Sequence, residues 1–165
     1  MAEPALLTSI TGGVAAITLN RPEIHNAFDD ELVATMTATL KELAADPAVR
    51  CVLLRANGKS FSAGADLGWM QRMASYGFEE NLADAYGLAE LMRTLDTLPR
   101  PTVALVPGAA LGGGVGLVAA CDMAIAAEGA VFALSEVRLG LIPAVISPYV
   151  VRAIGARAAR RYFLT

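Results

Sequence analysis

The sequence has 165 residues, a formal net charge of −3 and a mean hydropathy of +0.50; 55% of its residues are hydrophobic and 18% are charged. This length and composition predict one folded domain and exclude a disordered chain, while the apolar excess indicates oligomer contacts or a covering segment. The acidic balance argues against nucleic acid as a partner, because phosphate binding requires clustered Lys and Arg side chains.

The first third of the sequence predicts two strands, a helix and a third strand. Residues 6–10 and 14–19 are short β-type runs around two glycines, which is typical of a hairpin. Asp29 or Asp30 can cap a helix that runs to about residue 45 and has one apolar face, made of Leu32, Met36, Leu40 and Leu43. Residues 49–54 then indicate a buried strand.

The remaining two thirds predict strands that alternate with helices. Residues 56–64 indicate a polar loop, and a second loop rich in glycine and alanine follows residue 106. The predicted helices cover residues 66–78 with a break at Gly77, then 79–98, 113–120, 147–154 and 156–163, and the predicted strands cover 102–106, 123–127 and 131–133. This alternation implies an α/β fold with a largely parallel sheet, in one domain over residues 1–165.

Cysteines and long apolar stretches bear on the cellular compartment. Cys51 and Cys121 lie in apolar runs without metal-ligand spacing, so we expect reduced core thiols, no bound metal and a reducing compartment, the cytoplasm or an organelle matrix. Residues 103–127 are interrupted by Gly, Pro and Asp122, which is unfavourable for a membrane span. No basic start followed by an apolar stretch opens the sequence, so we do not expect a signal peptide. We therefore expect a soluble, cytoplasmic protein without a membrane partner.

Two glycine-rich loops, at residues 61–66 and 107–114, each follow a strand and precede a helix. Loops of this kind expose backbone N–H groups at a helix N-terminus, where the dipole favours negative charge. Two such groups that converge would hold a carbonyl oxygen as it becomes an oxyanion. Neither loop fits a P-loop or a GxGxxG pattern, so nucleotide phosphate binding is disfavoured, although either loop alone could serve only as a tight turn.

Several motifs follow one another in register along the chain. They are LNRP at 19–22 with Asn26-Ala27, FSAGADL at 61–67, PTVA at 101–104 leading into GAALGGG at 108–114, Cys121-Asp122, and the stretch 132–143 with Ser135-Glu136 and GLIP. In order and spacing, from about residue 14 to the end, they resemble the enoyl-CoA hydratase/isomerase (crotonase) family. The stretches 66–70 and 135–149 further resemble the bacterial methylglutaconyl-CoA and branched glutaconyl-CoA hydratases.

The resemblance implies a crotonase (ClpP-like) spiral of ββα repeats with two roughly perpendicular sheets. It also implies that the CoA thioester is the substrate, that no cofactor is needed, and that the protein forms a homotrimer or a hexamer. The sequence stops at apolar residues without a helix-ending signal, so we expect that the family's C-terminal helical part is missing.

The resemblance also assigns roles to individual residues. Ala65 and Gly113 match the two backbone N–H donors of the oxyanion hole. The positions that match CoA-binding parts of the family are these two together with Ala27, Ala63, Asp66 and Leu67. His25 is either a phosphate contact or an exposed loop residue, and an acyl pocket could be lined by Trp69, Met70, Met73 and Phe78.

Hydratases of this family commonly use two glutamates, and only one has a counterpart here. Glu136 matches the second, while Gly116 stands at the position of the first. Apolar neighbours of Glu136 would raise its pKa by desolvation and suit it to proton transfer; the alternative is a surface residue paired with Arg138.

Three functions follow as hypotheses. The first is hydration of an α,β-unsaturated acyl-CoA, such as 3-methylglutaconyl-CoA or another branched enoyl-CoA, through an enolate held by Ala65 and Gly113. The second is Δ3-Δ2 enoyl-CoA isomerisation by Glu136 alone, and the third is an inactive, truncated acyl-CoA-binding protein.

Overall fold

The computed structural model describes residues 3–163. The strands are β1 Leu6–Thr11, β2 Val14–Leu19, β3 Cys51–Ala56, β4 Ser60–Ser62, β5 Thr102–Val106, β6 Ala109–Leu111, β7 Met123–Ala126 and β8 Phe132–Ala133. The helices are α1 Asp30–Ala45, α2 Leu67–Met73, α3 Phe78–Asp96, α4 Gly113–Ala120, α5 Ser147–Ile154 and α6 Ala156–Tyr162. Short 3-10 helices cover Pro22–Ile24 and Ser135–Leu139.

The strands form two sheets. The larger has the order β1-β2-β3-β5-β7 and is parallel except for the β1-β2 hairpin, and the smaller is a parallel sheet of order β4-β6-β8. The consecutive strands β3 and β4, β5 and β6, and β7 and β8 are divided between the sheets: the first of each two lies in the larger sheet and the second in the smaller. One or two helices follow each set of two strands. This repeated ββα order confirms the α/β fold and the spiral of repeats that the resemblance implies.

The core lies between the larger sheet and the helices. Alternate residues of β2, β3 and β5 are buried, as expected for strands with one covered face: Ala15, Ile17, Leu19, Val52, Leu54, Ala104 and Val106. The apolar face predicted for α1 is buried against them, and the Asp29 side chain accepts a hydrogen bond from the Leu32 N–H and so caps the helix.

Two predicted loops contain strands, and one predicted strand is shifted. Residues 56–64 include β4 and the Gly/Ala-rich loop includes β6, which are three residues long and pair with each other. Strands this short show no usable alternation of apolar residues. Strand β3 runs from Cys51 to Ala56 rather than over 49–54, because it pairs with the whole length of β2, from Val14 opposite Cys51 to Leu19 opposite Ala56.

Apolar side chains remain exposed at the edge strand β7 and beside it. Met123 is 51% exposed, Ile125 62% and Val131 56%, and no described residue covers them. They are part of the apolar excess of the sequence, while the oligomeric state stays a prediction. Among residues 3–163, no helix combines the length and the apolar character that crossing a bilayer requires.

Candidate active site

The loop after β4 is held by Phe28. The Phe28 N–H donates to the Gly64 carbonyl at 2.9 Å, and the Asp66 N–H donates to the Phe28 carbonyl at 2.9 Å, which makes a parallel bridge between Phe28 and Ala65. Both bonds involve the residues on either side of Ala65, so the N–H of Ala65 points away from Phe28. It has no hydrogen-bond partner within the described residues and is free to bind a ligand oxygen.

The second loop ends at the N-terminus of α4. Gly113 is the first residue of that helix, and Gly112 before it has a φ of 51°. The first N–H groups of a helix have no partner inside it, and the Gly113 N–H finds none elsewhere in residues 3–163. This loop therefore presents a backbone donor at the positive end of the helix dipole.

The two loops are in direct contact, and only glycine permits it. A Cβ atom on Gly64 would lie 2.8 Å from the Leu111 carbonyl oxygen and 3.3 Å from the Gly113 nitrogen, and Gly64 has a φ of 86°. A Cβ atom on Gly113 would lie 2.4 Å from the Phe28 ring. No side chain separates the loops, and Ala65 and Gly113 line the same cavity.

Glu136 lies beside this pair of donors. It belongs to the 3-10 helix Ser135–Leu139, and a Cβ atom on Gly112 would be only 3.2 Å from its Oε1. Its Oε2 is buried without a hydrogen-bond partner. Within the described residues it forms no ion pair, so the pairing with Arg138 is wrong. Desolvation by burial raises the pKa of Glu136, as predicted, which suits the group to proton transfer.

Position 116 has no space for a second carboxylate. Gly116 is buried in α4, and a Cβ atom there would lie 2.3 Å from Ile146 Cγ2, 2.8 Å from Ile146 Cβ and 3.3 Å from Met92 Cε. Ile146 is itself only 2% exposed and so has little room to move. The wall of the site at this point is therefore apolar, and within residues 3–163 Glu136 is the only carboxyl group beside the two donors.

We expect Gly116→Ala to destabilise the fold by about 1–3 kcal/mol, because the added methyl group overlaps Ile146. Ile146→Ala alone should cost about 2–5 kcal/mol through the cavity it leaves. Combined, the two substitutions should cost less than their sum by about 0.5–3 kcal/mol, since each relieves the other. Urea unfolding of the four proteins measures this coupling, and strict additivity would contradict the contact.

Gly87→Ala is the matched control for this cycle. Gly87 also lies in a helix, α3, but an added Cβ atom would have no neighbour within 4 Å. The same change there should stabilise the protein by up to about 1 kcal/mol through helix propensity.

A cavity of about 410 Å³ opens from the donors and Glu136. It continues between α2, α3 and the segment 139–146, and its walls are mostly apolar. Of the four residues proposed for an acyl pocket, Trp69, Met70 and Met73 line this cavity, whereas Phe78 is 77% exposed and does not.

The positions matched to CoA binding lie around the first loop. Ala63, Ala65, Leu67 and Gly113 line the cavity, but Ala27 is buried and does not. The Asp66 carboxylate accepts a hydrogen bond from the Trp69 N–H and caps α2, so it has a structural role. Outside the cavity, the His25 ring lies 3.0 Å from the Ser60 hydroxyl.

Sequence reasoning missed most of the residues that line the cavity, and two of them shape the site directly. Ile146 fills the space that a side chain at position 116 would need. Asp84 on α3 accepts a hydrogen bond from the Trp69 indole N–H at 2.9 Å. Asp84 stands at helical spacing from Leu88, which also lines the cavity, so the helical period could have placed it on the same face. No sequence signal links Ile146 to Gly116.

Comparison with known proteins gives a consistent match. The family model described as enoyl-CoA hydratase/isomerase matches residues 9–165. A protein of Thermus thermophilus, provisionally named an enoyl-CoA hydratase, is 42% identical over 154 residues, which cover 93% of this chain and 61% of that protein. The enoyl-CoA hydratase ACTT6 of Alternaria alternata is 37% identical over 153 residues, 93% of this chain and 49% of that one.

Solved structures agree with these relatives. An enoyl-CoA hydratase from Shewanella pealeana superposes with a TM-score of 0.95 at 55% identity over 98% of this chain and 61% of its own. Pseudomonas aeruginosa AtuE superposes with a TM-score of 0.92 at 40% identity over 96% of this chain and 62% of its own. The chain thus spans less than two thirds of the length of each of these relatives.

Proposed function

Since the chain belongs to the enoyl-CoA hydratase/isomerase family, we propose that it hydrates an α,β-unsaturated acyl-CoA. In this proposal the N–H groups of Ala65 and Gly113 hold the thioester oxygen, and Glu136 moves the protons. The observation that carries it is the unpartnered, buried Oε2 of Glu136 beside two free backbone donors. A carboxylate without a structural partner is available as a base.

One carboxylate can carry out both proton transfers of hydration. Glu136 takes a proton from water as the water oxygen bonds to C3, and the C2=C3 electrons move into the thioester to form an enolate. The donors of Ala65 and Gly113 stabilise the enolate oxygen. The protonated Glu136 then gives its proton to C2, which leaves a 3-hydroxyacyl-CoA and returns the carboxylate to its first state.

Isomerisation is the second candidate, and the apolar wall at Gly116 and Ile146 favours it. Without a second carboxylate, nothing at that wall shares in activating water. In this reaction Glu136 takes a proton from C2 of a 3-enoyl-CoA, the dienolate is held by the same donors, and the proton returns at C4. The product is the conjugated 2-enoyl-CoA.

Absorbance of the conjugated thioester band separates the candidates. Hydration of crotonyl-CoA or 3-methylglutaconyl-CoA removes the band, whereas isomerisation of 3-hexenoyl-CoA creates it. Loss of the band with the 2-enoyl substrates would support the hydratase, and a gain restricted to 3-hexenoyl-CoA would support the isomerase. If acyl-CoA binds and the band never changes, the protein is an acyl-CoA-binding protein without turnover, and both proposals are wrong.

The finer parts of the proposal concern the acyl group, CoA and the assembly. The motifs at 66–70 and 135–149 support a branched enoyl-CoA, 3-methylglutaconyl-CoA among them. The positions proposed to contact CoA are Ala27, Ala63, Ala65, Asp66, Leu67 and Gly113. We further propose a homotrimer or a hexamer, which sedimentation of the protein would test, and the exposed apolar residues around β7 support such contacts.

A further inference from the structure

The charges inside the cavity are all of one sign. Among the described residues that line it, two are ionisable, Asp84 and Glu136, and both carry carboxyl groups. No lysine, arginine or histidine is among those lining residues. An acyl chain that enters the cavity therefore meets apolar walls and negative charge.

Asp84 is fixed in this position by Trp69. The indole N–H of Trp69 donates to Asp84 Oδ2 at 2.9 Å, and the indole is 3% exposed, so it cannot easily move away. This donor is neutral and leaves the charge of the carboxylate in place. Within residues 3–163, Asp84 has no ion-pair partner that would cancel it.

We propose that the cavity selects uncharged acyl chains and that Asp84 is a specificity-determining residue that excludes chains ending in a carboxylate. This inference rests on the proposed function, since it assumes that the cavity holds the acyl group. A terminal carboxylate would lose its hydration there without gaining a cationic partner. It would also be repelled by Asp84 across a medium that screens charge less than water does.

A terminal methyl group faces none of these costs. The walls near Asp84 include Met70, Met73 and Leu88, whose side chains are apolar and, in the methionines, adaptable. Among the branched enoyl-CoA substrates that the motifs support, this inference narrows the proposal to uncharged ones such as 3-methylcrotonyl-CoA. It disfavours 3-methylglutaconyl-CoA, which carries one additional carboxylate.

Binding of saturated thioesters tests the inference without any turnover. The matched pairs are hexanoyl- and adipyl-CoA, octanoyl- and suberyl-CoA, and decanoyl- and sebacyl-CoA, in which a terminal methyl group is replaced by a carboxylate. We expect the wild-type protein to bind the methyl member at least about ten-fold more tightly in the pair whose chain end reaches Asp84. Added salt should reduce this preference only partly, because the cavity shields the charges.

Asp84→Asn should lower that preference several-fold at the same chain length. Asparagine retains an oxygen that can accept from the Trp69 indole, so the local fold is kept while the charge is removed. Glu79→Gln is the matched control, since it removes a carboxylate from the same helix at an exposed position outside the cavity. The preference should be unchanged in this control.

The inference is overturned if the wild type binds both members of every pair alike, or if Asp84→Asn and Glu79→Gln keep the same preference. A different result would contradict the proposed function alone: the methyl-ended thioesters would bind with the expected preference, but no enoyl-CoA would be converted. Absence of binding by every thioester would overturn both, because no acyl site would then exist.

Discussion

Replacing Glu136 with glutamine is expected to lower kcat by about 10²- to 10⁴-fold, the usual contribution of a positioned general base. Glutamine has the same shape but cannot take up a proton at neutral pH. Among the described residues that line the cavity, the only other carboxyl group is that of Asp84, which accepts a hydrogen bond from Trp69, and no side chain fits at Gly116. We therefore expect no substitute base there. Steady-state assays with the substrates that separate hydration from isomerisation measure the loss. Activity within a few-fold of wild type would remove Glu136 from the mechanism.

Stability provides the control for this variant. Burial raises the pKa of Glu136, so the folded protein holds the proton more tightly than the unfolded chain does. The stability contributed by this group is present below the ordinary glutamate pKa and is lost as the pH rises through the raised one. Glu136→Gln should therefore be at least as stable as wild type at neutral pH, with the difference disappearing at acid pH. Thermal unfolding across pH would show that lost activity does not come from lost folding.

Gly64→Ala is expected to damage both the fold and the site. Its φ of 86° is costly for alanine, by about 1–3 kcal/mol, and the added Cβ atom would lie 2.8 Å from the Leu111 carbonyl oxygen. Backbone atoms cannot turn aside, so the two loops must separate, which adds about 1–3 kcal/mol. The shift also moves the donors of Ala65 and Gly113, and we expect kcat/KM to fall about 100-fold.

Gly12→Ala isolates the cost of the backbone angle. Gly12 has a φ of 58° in the β1-β2 turn, and an added Cβ atom would have no neighbour within 4 Å. This control should lose stability through φ alone and keep its activity. If chemical denaturation and kinetic assays gave the same changes for the two variants, contact between the loops would not be what requires glycine at position 64.

Local signals allowed much of the fold to be predicted. Strands β2 and β5 and helices α4 and α5 lie at the predicted residues, because apolar runs and Gly or Pro boundaries mark their ends. The two glycine-rich loops were also recognisable as loops, since each lies between a predicted strand and a predicted helix, although either alone could have been only a tight turn. The loops alone did not single out the donors, and the assignment of Ala65 and Gly113 rested on the resemblance to the family.

The remainder depends on contacts between distant parts of the chain. Strands β4 and β6 depend on pairing within the smaller sheet, β4 with β6 and β6 with β8, and neither has a sequence pattern of its own. Likewise, Ile146 fills the space beside Gly116, although the two residues are far apart in the sequence and no helical or strand periodicity connects them. The charge of the cavity could not be predicted either, because it depends on which face of α3 meets α2 and places Asp84 beside Trp69.

The two proposed oxyanion donors belong to the main chain, which every amino acid shares except for the N–H that proline lacks. Substitutions of the donor residues should therefore damage this part of the site less than substitutions of the neighbouring glycines, which allow the two loops to approach. In a saturation screen, the intolerant positions should cluster at glycines such as Gly64, whose missing side chain keeps the loops together. The proposed oxyanion hole would then depend on the path of the backbone, whereas Glu136 is the proposed catalytic group that a single side-chain substitution can remove.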